Sequence, residues 1–199
     1  IGKTWVIGSG EQEGIVMWKE IAKFGKKLVE GGYLSSNFGN ISVRAGDSIT
    51  ITRSGSMLDE ITEDSVVTVD LYKHSSLDLI ASSETIVHRE IYKKTPALAI
   101  IHAHCPFAVV ESLLNDTSIK PYDSEGKLFF NEIPIVTGGM GTKELAENTA
   151  RVLENYKGCI VKAHGTFATG KILKEAYVHT TVIEHSAKIK YYYDLNKNK

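Results

Sequence analysis

Ala97-Leu98-Ala99-Ile100-Ile101-His102-Ala103-His104 is the stretch whose reading decides the fold of this 199-residue chain. From Ala97 to Ala103 it is almost wholly apolar, which predicts a buried strand rather than an alternating surface one. Cys159-Ile160-Val161-Lys162-Ala163 reads as a second buried strand, with Thr166–Thr169 as its extension, and Ile133–Val136 as a short third.

The rest of the chain alternates between strands and helices. Ile15, Trp18, Ile21, Ala22, Leu28 and Val29 recur at helical spacing, so a helix is expected from about Glu13 to Glu30, ended by Gly31-Gly32. Asn40–Arg44 and Ser48–Arg53 read as a hairpin turning at Gly46-Asp47, and Val66–Leu71 as another strand. Further helices are expected over 84–94, with Ser82 or Ser83 as cap, over 105–114 with Pro106 in the first turn, over 142–154 capped by Thr142, and over 174–195. Pro121–Asn131 is polar and reads as a loop. Interleaved helices and strands that include hairpins predict an α/β fold with a central mixed or antiparallel sheet covered by helices.

Length fits one compact domain over 1–199, with residues 1–12 expected as a flexible lead. The chain carries 23 Lys+Arg against 24 Asp+Glu, a net charge of −1, so nothing draws it broadly to nucleic acid or anionic lipid. No stretch approaches the ~20 apolar residues of a membrane span. The two cysteines, Cys105 and Cys159, form no CxxC pair, which favours a reducing, cytoplasmic setting.

The chemistry concentrates in a few side chains. Residues i and i+2 of a strand share a face, so the imidazoles of His102 and His104 can reach one point; the alternative is a pair of hydrogen-bonded histidines at a strand end. His164-Gly165 also ends an apolar strand, and two such strands lying side by side would bring three imidazoles together. Three ligands with an open position are the pattern of a catalytic Zn²⁺ site. His74, His88, His179 and His185 lack this context, and His88 is expected to pack behind the site. Ser82-Ser83-Glu84 opens a helix, where capping is the ordinary role and anion binding by free N–H groups and hydroxyls the functional one. Phe38-Gly39-Asn40 and Ser54-Gly55-Ser56 are small, polar turns able to approach a ligand closely, or simply turns.

Taken in order, Gly39-Asn40-Ile41-Ser42-Val43-Arg44, Thr52-Arg53-Ser54-Gly55, Ser82-Ser83-Glu84, His102-Ala103-His104, Gly141-Thr142-Lys143-Glu144-Leu145 and His164-Gly165 resemble the class II aldolase/adducin family, over roughly residues 13 to 190. The resemblance implies a three-layer α/β/α fold with a mixed, largely antiparallel sheet, assembled as a homotetramer with active sites between subunits. It implies Zn²⁺ on His102, His104 and His164, with Glu84 as both metal ligand and acid–base group. It assigns the phosphate of a phosphorylated sugar to Asn40, Ser54, Gly55, Ser82 and Ser83, and places Tyr122 near the position of a tyrosine proton donor from a neighbouring subunit. The expected reaction is cleavage of a ketose 1-phosphate such as L-fuculose 1-phosphate to dihydroxyacetone phosphate and an aldehyde such as lactaldehyde. Epimerases and dehydratases of sugar phosphates, and non-catalytic adducin-like interaction domains, are the rival readings. The family usually has a small residue where this chain has Phe38, so a differently shaped phosphate pocket is expected.

Overall fold

The structure, a computed structural model, describes residues 10–35 and 38–197, with side chains from residue 17 onward. Of the expected flexible lead, residues 1–9 lie outside the described residues, and residues 10–12 form the first turn of helix α1 (Gly10–Glu30).

Strands β1 (Gly39–Ala45), β2 (Ser48–Thr52), β3 (Val66–Asp70), β4 (Ala99–Ala103), β5 (Ser118–Ile119), β6 (Ile133–Val136), β7 (Gly158–Val161) and β8 (Gly165–Gly170) form one sheet of order β3-β2-β1-β4-β8-β7-β6-β5. Every pairing is antiparallel except β6 with β7, so the sheet is mixed and largely antiparallel. The helices are α1, α2 (Thr85–Lys94), α3 (Pro106–Leu114), α4 (Ser124–Phe129), α5 (Lys143–Leu153) and α6 (Leu173–Lys197).

Side-chain alternation sorts the sheet residues into two cores. Ile41, Ala99, Ile101, Ala103, Ile135 and Ile160 join one core with α1, α3 and α6. Ile51, Ile100, Val136, Val161 and Phe167 join the other, with α2 and α5. Helices on both faces make three layers, and β4 at the centre is buried along its whole length. Cys105 and Cys159 are both buried, one in each core, with the sheet between them.

Three local expectations are corrected. The polar segment 121–131 is not wholly loop. Asp123 caps α4 by accepting a hydrogen bond from the Gly126 N–H at 2.6 Å, and α4 packs on α6. Residues 159–169 do not make one extended strand. They fold back as the β7–β8 hairpin through a turn in which Ala163 takes φ of 59°. Ser82 and Ser83 do not cap α2: the N-cap position belongs to Glu84, and the Ser82 hydroxyl instead accepts from the Glu84 N–H.

Candidate active site

One end of the sheet gathers the chemistry. Antiparallel pairing sets Asn40, at the start of β1, opposite His102, at the end of β4. The end of β2 runs beside the segment before α2, because the Ser82 N–H donates to Thr52 O and the Ser54 N–H to Ile80 O, each at 3.1 Å. Ser54 and Gly55 therefore stand next to Ser82 and Ser83. A cavity of about 140 Å³ opens here, lined by Asn40, Ser54, Gly55, Ser82, Ser83, Glu84, His102, His104 and His164, and by Phe38, Gly39, Arg53, Ser56 and Met140.

His164 arrives by a route the strand pattern does not show. β4 does not neighbour β7; β8 lies between them, and His164 sits in the β7–β8 turn, past the end of β7. Gly165 makes that approach possible: a Cβ there would lie 2.6 Å from the Ala103 carbonyl oxygen. The hairpin tip can thus press against the end of β4.

The three imidazoles converge, with one nitrogen from each lying within 4.8 Å of the others. The Nδ1–H of His102 donates to Thr166 O at 2.9 Å, which leaves a lone pair on Nε2, and His104 Nε2 is 3.1 Å from it. His164 Nε2 is buried with no hydrogen-bond partner. Burial holds the pKa of all three imidazoles down, that of His104 to about 4, so the neutral, ligating form prevails. A tetrahedral ion with bonds of ~2.0–2.1 Å wants its nitrogens ~3.3 Å apart. The donor chemistry, the spacing and the orphaned nitrogen fit a divalent metal ion, and the carbonyl holding His102 is the kind of partner that fixes a ligating tautomer.

Glu84 lines the same cavity at 2% exposure but lies outside that group of mutually close ligand atoms. Its Oε1 accepts from the Gly141 N–H at 2.9 Å, while Oε2 is buried without a partner. Gly141 has φ of +67°, a backbone geometry that favours glycine and turns its N–H toward the carboxylate. Burial pushes the Glu84 pKa up to about 7, against the pull of that one hydrogen bond. Glu84 is the sole carboxylate among the lining residues, and Arg53 the sole permanent cation.

All nine cavity residues singled out from the sequence come together here; Tyr122 does not. Its hydroxyl donates to Asp194 at 3.2 Å and its ring meets Tyr193, away from the cavity lining. Phe38 stacks on His104 with ring centroids 5.7 Å apart, so the bulk expected at this position shapes the cavity wall beside the imidazoles. His88 lies behind the cavity, fully buried, with Nε2 at 2.6 Å from Asn40 Oδ1. Arg53, Met140 and Gly141 received no role from the sequence. Arg53 and Gly141 sit in motifs quoted for other residues, and nothing local marks Met140 as a cavity residue.

Comparison with known proteins points to one family, whose members include aldolases, a decarboxylase and a dehydratase. The Class II Aldolase and Adducin N-terminal domain profile matches residues 19–191. The L-fuculose phosphate aldolase of Methanocaldococcus jannaschii is 35% identical over 173 residues, covering 86% of this chain and 93% of that protein. The 5-methylthioribulose-1-phosphate/5-deoxyribulose-1-phosphate aldolase of Rhodospirillum rubrum is 31% identical over 151 residues, covering 75% of this chain and 68% of that one. The crystal structure of the L-fuculose-1-phosphate aldolase of Thermus thermophilus superposes with a TM-score of 0.86 at 32% identity, over 91% of this chain and 95% of that one. With this fold and this cluster of side chains, the chain belongs to the class II aldolase and adducin N-terminal domain family.

Proposed function

We propose that the protein is a zinc-dependent aldolase that cleaves a ketose 1-phosphate, with L-fuculose 1-phosphate as the leading substrate. The observation that carries this reading is the meeting of three neutral imidazoles and an unpartnered Glu84 oxygen in a cavity rimmed by serine hydroxyls.

His102, His104 and His164 would hold the ion, with Glu84 joining them in the resting enzyme. A divalent ion there supplies Lewis-acid stabilisation to the oxyanion that carbon–carbon cleavage generates. Asn40, Ser54, Gly55, Ser82 and Ser83 grip the substrate phosphate, with Arg53 adding positive charge at the same end. Anchoring that end fixes C2 and C3 of the sugar against the imidazole cluster. Breakage of the C3–C4 bond leaves its electron pair on C3. Glu84 delivers a proton to that carbon to complete dihydroxyacetone phosphate, acting as the positioned acid–base group of the cavity. The C4 hydroxyl loses its proton as the aldehyde forms. Tyr122, 39% exposed and outside its own chain's cavity, is assigned the relay of that proton in a neighbouring copy's site, within a homotetramer: its hydroxyl oxygen takes the proton as its own passes on to water. No helix among the described residues is long and apolar enough to cross a membrane; the reaction is assigned to the cytoplasm.

The test is a cleavage screen over phosphorylated ketoses, with and without chelator, read by release of triose phosphate. Metal-dependent release from fuculose 1-phosphate supports the reading. Epimerised pentulose phosphate without triose release would favour the epimerase alternative, and loss of water the dehydratase.

A further inference from the structure

A chain of fully buried polar side chains runs from the cavity wall into the core between the sheet and α2. His88 Nε2 lies 2.6 Å from Asn40 Oδ1, His88 Nδ1 2.7 Å from the Ser42 hydroxyl, and Ser42 Oγ 2.8 Å from the Tyr92 hydroxyl. His88 and Ser42 are 0% exposed and Tyr92 is 1% exposed. Two proton orders satisfy these distances. In one, every hydroxyl and ring proton points toward Asn40. In the other, every proton points toward Tyr92.

Counting protons chooses between them. The Tyr92 hydroxyl must donate its proton, and Ser42 Oγ is its only side-chain partner among the described residues. Ser42 must then donate to His88 Nδ1, because its oxygen has just accepted. His88, kept neutral by burial that pulls its pKa down to about 3, therefore carries its proton on Nε2 and donates it to Asn40. The reverse order would bury the Tyr92 proton with no acceptor. Asn40 must consequently turn its carbonyl oxygen inward, and its NH₂ group faces the cavity.

We infer that His88 is a positioning residue whose Nε2–H, directed by Ser42 and Tyr92, locks the Asn40 amide with its NH₂ group toward the cavity as a donor for an anionic phosphate group. The inference rests on the reading of Asn40 as a phosphate ligand. Without the relay the amide could rotate and present its oxygen, which repels an anion.

The test uses the full chain, with inorganic phosphate as the probe. A glutamine amide can replace Nε2 of a histidine and an asparagine amide can replace only Nδ1. His88→Gln should keep phosphate affinity within about threefold, and His88→Asn should weaken it by roughly tenfold, the loss of one hydrogen bond to the anion, at unchanged zinc content. Nitrogen NMR of the unsubstituted protein should show His88 neutral with its proton on Nε2. A proton on Nδ1, or equal phosphate affinity in the two variants, would overturn the inference. Asn40→Ala separates the two levels. If it leaves phosphate binding unchanged, the assignment of Asn40 itself fails. If it weakens binding while His88→Asn does not, only the positioning role fails. The NMR signature needs no variant, so a misfolded substitution does not block the decision.

Discussion

Replacing Glu84 by glutamine separates what this carboxylate does for the fold from what it does for the reaction. Glutamine has the same shape and can keep the hydrogen bond from the Gly141 N–H. It cannot ionise. In the metal-free protein the Glu84 carboxyl has a pKa of about 7, against an ordinary value of 4.5, because burial penalises its charge. A carboxyl raised in this way contributes stability that is fully present below pH 4.5 and is lost as the pH climbs through 7. The gap between those two values corresponds to about 3 kcal/mol. Chelator-treated Glu84→Gln should therefore gain on the unsubstituted protein as pH rises, by about 3 kcal/mol between acid and mildly alkaline conditions, in urea unfolding. Adding zinc should shrink the gap, since a nearby cation compensates the carboxylate. Turnover of the metal-loaded variant should fall by ~10²–10⁴-fold, the usual contribution of a positioned acid–base group. A stability difference that does not change with pH would refute the buried-charge argument, and undiminished turnover would remove Glu84 from the proton transfer.

Three further outcomes test the site and its scaffold. His102→Ala should strip most of the bound metal, measured by atomic absorption on the purified protein; full occupancy would refute its place in the ligand set. Gly165→Ala puts a Cβ 2.6 Å from the Ala103 oxygen, so it should cost about 1–3 kcal/mol and also weaken zinc affinity by moving His164; calorimetry of unfolding and zinc titration should change together. Thr142→Ala removes the hydroxyl that accepts from the Leu145 N–H at the start of α5, and should lower stability by ~1 kcal/mol with little effect on metal content.

What the sequence determined by itself is what depends on near neighbours. The almost wholly apolar run at Ala99–Ala103, interrupted only by His102, predicts a strand covered on both faces, and β4 is buried throughout. Period-two alternation puts His102 on the Ile100 face of that strand, and Thr142 marks the start of α5. Such relations arise from backbone geometry over two to four residues, so composition and spacing encode them directly. The tertiary structure alone decided the rest. The β8 strand inserts between β4 and β7, so His164 reaches its partners from a hairpin tip rather than a paired strand end. Glu84 finds its hydrogen-bond donor 57 residues away in Gly141, and His88 its acceptor 48 residues away in Asn40. Tyr122 ends on Asp194, outside the cavity. These contacts depend on the order in which strands pair, which is set by burial summed over both faces of the whole sheet. No window of the sequence carries that sum.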